Sequence, residues 1–217
     1  MPTSPNPLSE AMRPLLALAP VIPVIRIDEP CTAVPLAEAL VEGGLPVLEI
    51  TLRTEHGLAA VGAIARAVPA AVVGAGTVIS PDQLAALADV GCRFVVSPGF
   101  TPALLDAAER QTIPFLPGAA TAAEVMTLLA RGYVRQKLFP AEPAGGVLLL
   151  RSLREPLPQV TFCPTGGITL DKAPAYLELA NVACVGGSWV VPVDAISAGD
   201  WRRIRTLAAE AAALRRG

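Results

Sequence analysis

Short β-branched runs alternate with Ala- and Leu-rich stretches of helical spacing along nearly the whole chain. Alternating or continuous apolar runs predict strands over residues 21–27, 47–51, 71–77, 94–97, 114–116, 134–138, 161–163 and 182–185. Between them, apolar positions three and four apart predict helices over 32–42, 55–67, 81–89, 102–110, 122–131, 146–153 and 170–179. One further helix is expected near each end, over about 9–19 and about 200–215.

Local signals support these boundaries. Ser80-Pro81, Thr101-Pro102 and Thr121-Ala122-Ala123-Glu124 each set a side-chain oxygen before a helix, with proline at the first helical position in the first two. Gly91 and Gly132 follow helices where a left-handed cap is expected. Strand–helix units of about 25 residues repeat eight times without a linker or a shift in composition. They predict a single α/β domain over 1–217, a (β/α)8 TIM barrel with an extra N-terminal helix. An open doubly wound sheet is the alternative. That fold usually carries a G-x-G-x-x-G turn after its first strand, and here the first strand runs into Asp28-Glu29-Pro30.

Composition narrows the function. The chain is 53% hydrophobic but only 4% aromatic, which suits aliphatic helices laid on a buried parallel sheet. A net charge of -2 gives no basic footprint for nucleic acid. No apolar run reaches the roughly 18 residues of a membrane span. The start, Met1-Pro2-Thr3-Ser4-Pro5-Asn6-Pro7, lacks the basic and apolar regions of a secretory signal. A cytoplasmic location is therefore expected, with residues 1–8 as a flexible tail. Cys31, Cys92, Cys163 and Cys184 form no C-x-x-C pair and fit reduced, buried thiols. His56 is the only histidine. Imidazole metal sites generally need two or three, so no metal is expected. With no G-x-S-x-G in the chain, Ser-His-Asp chemistry has little support either.

The remaining polar residues gather at the predicted C-terminal strand ends, where barrels carry their active sites. Lys137 is one of two lysines in a chain with fifteen arginines, and it ends an apolar strand. Only an amine that can shed its proton attacks a carbonyl carbon, which arginine cannot do. The bland alternative is a strand-end lysine reaching to water. Period 2 sets Glu49, Thr51 and Arg53 on one side of strand 2. If that side is the interior, Glu49 is a buried carboxylate in need of a partner. Lys137 is the natural one, and two such groups in a dry pocket suit proton exchange. A structural ion pair with Arg53 or Arg26 is the alternative.

Arg53 offers a planar fork to a substrate carboxylate, or else caps the next helix. Thr165-Gly166-Gly167 and Gly186-Gly187-Ser188 follow strands 7 and 8, where such barrels recurrently hold phosphate through backbone N–H groups. Turns that serve packing alone are the alternative there.

Six ordered segments carry a likeness. They are Glu49-Ile50-Thr51-Leu52-Arg53-Thr54, Gly74-Ala75-Gly76-Thr77-Val78, Ser97-Pro98-Gly99, Lys137-x-Phe139-Pro140-Ala141-Glu142, Phe162-Cys163-Pro164-Thr165-Gly166-Gly167-Ile168 and Gly186-Gly187-Ser188-Trp189-x-Val191-Pro192. Together they resemble the KDPG/KHG aldolase family, class I aldolases acting on 2-keto-3-deoxy-6-phosphogluconate and 4-hydroxy-2-oxoglutarate. The resemblance runs from about Val21 to the C-terminus.

This resemblance implies Lys137 as the Schiff-base lysine and Glu49 as general acid and base. It implies Arg53 and Thr77 as holders of the pyruvate carboxylate. Gly166, Gly167, Gly186, Gly187 and Ser188 would hold the phosphate, and Thr51, Pro98, Phe139 and Thr165 would complete the pocket. It further implies a homotrimer and no cofactor beyond the covalent lysine imine. Leu138 departs from the pattern, which expects an aromatic residue after the lysine, so an altered pocket wall is expected there.

The implied reaction is reversible cleavage of 2-keto-3-deoxy-6-phosphogluconate to pyruvate and glyceraldehyde 3-phosphate, with side activity on 4-hydroxy-2-oxoglutarate. Rivals are the same chemistry on the 6-phosphogalactonate isomer, or a phosphate-binding isomerase or transferase using Glu49 as base. A phosphosugar-binding barrel without catalysis is the third.

Overall fold

The computed structural model describes residues 4–214. Its strands are β1 Val21–Ile25, β2 Val47–Thr51, β3 Val72–Gly76, β4 Val95–Val96, β5 Phe115–Leu116, β6 Gly118–Ala119, β7 Arg135–Leu138, β8 Thr161–Pro164 and β9 Val185–Gly187. The helices are α1 Pro7–Ala17, α2 Ala33–Glu42, α3 Gly57–Ala67, α4 Pro81–Ala86, α5 Pro102–Ala108, α6 Ala122–Ala130, α7 Ala141–Ala144, α8 Gly146–Arg154, α9 Ala173–Leu177, α10 Val193–Ser197 and α11 Trp201–Ala212.

Every strand pairing is parallel, as alternating strands and helices require. One ladder runs β5-β4-β3-β2-β1-β9 and the other β6-β7-β8. Isolated bridges Phe162↔Val182 and Thr165↔Gly186 join the second to the β9 end of the first. β5 falls within the strand predicted over 114–116, and β6 extends it beyond the prediction, parted from it at Pro117, whose nitrogen has no hydrogen to give the ladder. Its carbonyl still accepts from the Lys137 N–H at 2.9 Å. The result is a curled, barrel-like parallel α/β sheet.

Side-chain alternation divides the core in two. Val21, Leu48, Ile50, Val95, Phe115, Leu138, Phe162 and Val185 face outward into the layer shared with the helices. Ile22, Val47, Phe94, Val96, Leu116, Cys163 and Cys184 face inward and form a second cluster. Met12 and Leu16 of α1 close that inner cluster. Nearby, Arg135 Nη1 pairs with Glu10 of α1 at 3.0 Å.

The predicted caps are present. Ser80 and Thr101 accept from Gln83 and Leu104 N–H groups, and Thr121 with Glu124 forms a capping box. Gly91 and Gly132 hold φ of 82° and 83°.

Several boundaries differ from expectation. α1 begins at Pro7, because the Asn6 side chain caps it by accepting from Leu8 N–H. The Asn6 N–H also donates to Gly132 O at 2.9 Å, so this part of the expected tail is tied to the body. Residues 1–3 lie outside the described residues. α11 stops at Ala212, and Arg215 likewise lies outside them. The last strand shifts from 182–185 to Val185–Gly187, since Gly186 and Gly187 pair with Ile22 and Pro23 of β1. The short helices α7 and α10 had no periodic signal long enough to announce them.

Candidate active site

The alternation that sends Leu48, Ile50 and Leu138 outward sends Glu49, Thr51 and Lys137 inward. Lys137 Nζ and Glu49 Oε1 lie 3.1 Å apart, with side chains 3% and 4% exposed. Of the partners open to Glu49 in the sequence, the structure selects the lysine. Arg26 pairs with Asp28 instead, and Arg53 bonds to Thr77. A carboxylate and an ammonium taken this far from water are tolerable only together.

Room for Glu49 comes from a neighbour without a side chain. A Cβ on Gly76 of β3 would collide with the Glu49 carboxylate. Lys137 Nζ also stands 5.2 Å from the Phe139 ring centroid, within cation–π range.

A cavity of about 250 Å³ opens farther along the same strands; neither Glu49 nor Lys137 is among its lining residues. Thr51 lines it, two residues beyond Glu49, and Phe139 lines it, two residues beyond Lys137. Thr165, Gly166, Gly167, Gly186, Ser188 and Arg53 share the wall. Thr51 is fixed by donating to Ile25 O at 2.9 Å. Arg53 is exposed and donates through Nε to Thr77 Oγ1 at 3.0 Å. The remaining guanidinium N–H groups are free to meet an anion.

The glycine segments behave differently from each other. Gly166 and Gly167 form a true turn, with φ of 108° and 78°. Its outer side leans on Glu142, whose N–H donates to Gly166 O at 3.0 Å. The Glu142 carboxylate accepts from Lys172 Nζ at 2.5 Å and from Tyr176 Oη. These two donors, the lysine first, hold the Glu142 carboxyl below its ordinary range. Lys172 is therefore exposed but paired. Gly186 and Gly187 are strand residues. A Cβ on Gly186 would strike Thr165, which lies across the bridge, and one on Gly187 would strike the Trp189 ring.

Thr77, Pro98 and Gly187 stand outside the cavity lining. Thr77 stands one step back, accepting from Arg53. Pro98 turns its carbonyl toward Gly118, where a Cβ would not fit. Leu138 is wholly buried in the outer layer, so the residue after the lysine shapes sheet–helix packing and leaves the pocket wall untouched. The sequence reading missed one wall entirely: Arg26, Asp28 and Glu29 past β1, and Val193 and Ile196 of α10. Counting by twos from Ile22 and Val24 would have reached Arg26. Among the described residues no three His, Cys, Asp or Glu side chains cluster, and no helix is long and apolar enough to cross a membrane.

The family model for KDPG and KHG aldolase matches residues 12–207. A KHG/KDPG aldolase of Escherichia coli (strain K12) is 51% identical over 197 residues, 91% of this chain and 92% of that one. A Legionella pneumophila KDPG aldolase, solved with pyruvate captured at low pH as a covalent carbinolamine, superposes with a TM-score of 0.90. It is 45% identical, covering 95% of this chain and 98% of its own. A Zymomonas mobilis 2-keto-3-deoxy-6-phosphogluconate aldolase solved with 3-phosphoglycerate gives 0.88, at 49% identity and 97% coverage of both chains. The match of the family model over residues 12–207 and relatives at these identities and coverages place the chain in the KDPG/KHG aldolase family.

Proposed function

We propose that this chain reversibly cleaves 2-keto-3-deoxy-6-phosphogluconate to pyruvate and glyceraldehyde 3-phosphate through an imine on Lys137, with side activity on 4-hydroxy-2-oxoglutarate. Membership of the family makes it an aldolase, a carbon–carbon lyase. The observation that carries the residue assignment is the 3.1 Å contact between Lys137 Nζ and Glu49 Oε1, sealed from bulk water.

In this reading Lys137 passes a proton to Glu49 and attacks the C2 ketone as a free amine. Glu49 returns that proton to the carbinolamine hydroxyl, which leaves as water, giving the iminium and a carboxylate again ready to act as base. Glu49, directly or through water, takes the C4 hydroxyl proton. The C3–C4 bond breaks, its electron pair moves into the iminium, and the aldehyde departs. The enamine is protonated at C3, and water hydrolyses the resulting imine to pyruvate and free Lys137. Arg53, steadied by Thr77, holds the carboxylate; Gly166, Gly167 and Ser188 hold the phosphate, with Gly186 giving it room. The Phe139 ring flanks the amine.

The same reading needs no metal or other cofactor. It takes the curled sheet as a full (β/α)8 barrel in one domain over 1–217, α1 as its extra helix, and the working enzyme as a cytoplasmic homotrimer.

Borohydride reduction in the presence of pyruvate tests the assignment. Mass should appear on the peptide bearing Lys137. Label on Lys172, or no label, overturns it.

A further inference from the structure

Arg26 occupies a position that the reaction above leaves unused. Along β1, Ile22 joins the inner cluster and Val24 lines the cavity. Period 2 carries Arg26 to the same side, just past the strand end. Its flanking strands are β2, which leads to Arg53, and β9, which leads to Ser188. Arg26 and Arg53 are the two cations in the cavity wall among the described residues.

Their situations differ. Arg53 stands over the carboxylate end with Thr77. Arg26 is 62% exposed and gives only Nε to a protein acceptor, Asp28 Oδ1 at 2.8 Å. Among the described residues its two terminal nitrogens take no partner. Asp28 thus fixes the root of the guanidinium and leaves the fork open.

A phosphate at Gly166, Gly167 and Ser188 would meet backbone and hydroxyl donors but no cation from those segments. A dianion brought out of water is held far better with a charged donor beside it. We propose that Arg26 is the charge partner of the substrate phosphate and sets the preference of this enzyme for phosphorylated substrates. The inference rests on the phosphate seat proposed above. Asp28 and Glu29 share the same wall, so loss of Arg26 would leave acids facing the anion.

The test uses the full-length enzyme and two substrates, 2-keto-3-deoxy-6-phosphogluconate and unphosphorylated 2-keto-3-deoxygluconate. Arg26→Gln should lower kcat/KM for the first by about tenfold or more, mainly through KM, and move the second by less than about twofold. Equal losses would make Arg26 a structural part of the rim, and no loss would leave it a solvated side chain; either overturns the proposal. Gly167→Ala, run in parallel, separates the two assumptions. If it spares the phosphate preference, the seat itself is misplaced. If it abolishes the preference while Arg26→Gln does not, only the role of Arg26 fails.

Discussion

Thr77 accepts the Arg53 Nε hydrogen bond at 3.0 Å while holding a left-handed backbone, with φ of 59°. No other non-glycine among the described residues has positive φ. Holding a β-branched residue there costs about 1–3 kcal/mol. That strain is tolerated where a hydroxyl must meet a guanidinium. Thr77→Gly is expected to raise the midpoint of chemical unfolding and, at the same time, to raise KM for pyruvate in the condensation direction. Unfolding curves and condensation kinetics on one preparation check both. Added stability with an unchanged KM would mean the hydroxyl does nothing for the carboxylate.

Glu49→Gln should separate imine formation from turnover. The amide keeps the shape and one hydrogen bond to Lys137 but carries no proton. Cleavage is expected to fall by roughly 10²-fold or more, while borohydride still traps pyruvate on Lys137. Near-normal rates of cleavage and of pyruvate proton exchange would leave Glu49 a purely structural partner.

The two glycine segments should fail in different ways. A methyl at Gly167 meets both a φ of 78° and the Glu142 side chain at 2.9 Å, so the turn must move. Gly167→Ala is expected to depress use of the phosphorylated substrate selectively. Gly187→Ala instead drives a methyl into the Trp189 ring, inside a strand. It should destabilise by about 1–3 kcal/mol and lower both substrates alike. Kinetics on both substrates, with thermal unfolding, distinguish the patterns.

Glu142 ties the Gly166–Gly167 turn to acid stability. Its carboxyl is held below the ordinary glutamate range, chiefly by the Lys172 hydrogen bond and then by Tyr176. A depressed carboxyl contributes stability above its unfolded value and loses it as pH falls through the folded one. Wild type should therefore be more stable than Glu142→Gln at neutral pH, and the gap should close in acid below 4.5. A gap that stays constant down that range would mean the charge on Glu142 contributes nothing.

Chelation should leave the rate unchanged, because the proposed electron sink is an iminium on the protein itself. Loss of activity in EDTA, restored by a divalent ion, would require a different mechanism.

Much of this was legible in the chain because a parallel sheet with two buried faces writes its alternation plainly. Glu49 and Lys137 could be paired in advance, since both interrupt apolar strands at inward positions. Leu138 was misjudged for want of the same count: one residue on, the side chain must point to the helices. Gly186 and Gly187 looked like a turn because paired glycines usually mark one. Here they continue β9, where a side chain would strike Thr165 or Trp189. Asn6 looked like tail because its anchor, Gly132 O, is remote in sequence and carries no local signature. Arg26 entered only as an alternative partner for Glu49, and its place in the cavity wall went unread because a rim arginine beside an aspartate resembles any surface ion pair.

Met12 and Leu16 pack into the inner cluster and fill its end, so in the proposed reaction traffic passes over the cavity rim. That traffic has to queue. The sugar acid, the water expelled as the imine forms and the water admitted to hydrolyse it all cross the same threshold. The aldehyde half lies nearer the threshold and is held by no covalent bond, so it leaves first. Pyruvate, tethered to Lys137 in the proposed mechanism, leaves last. The covalent tether thereby sets the order of departure, and the packed end of the cluster sets its direction.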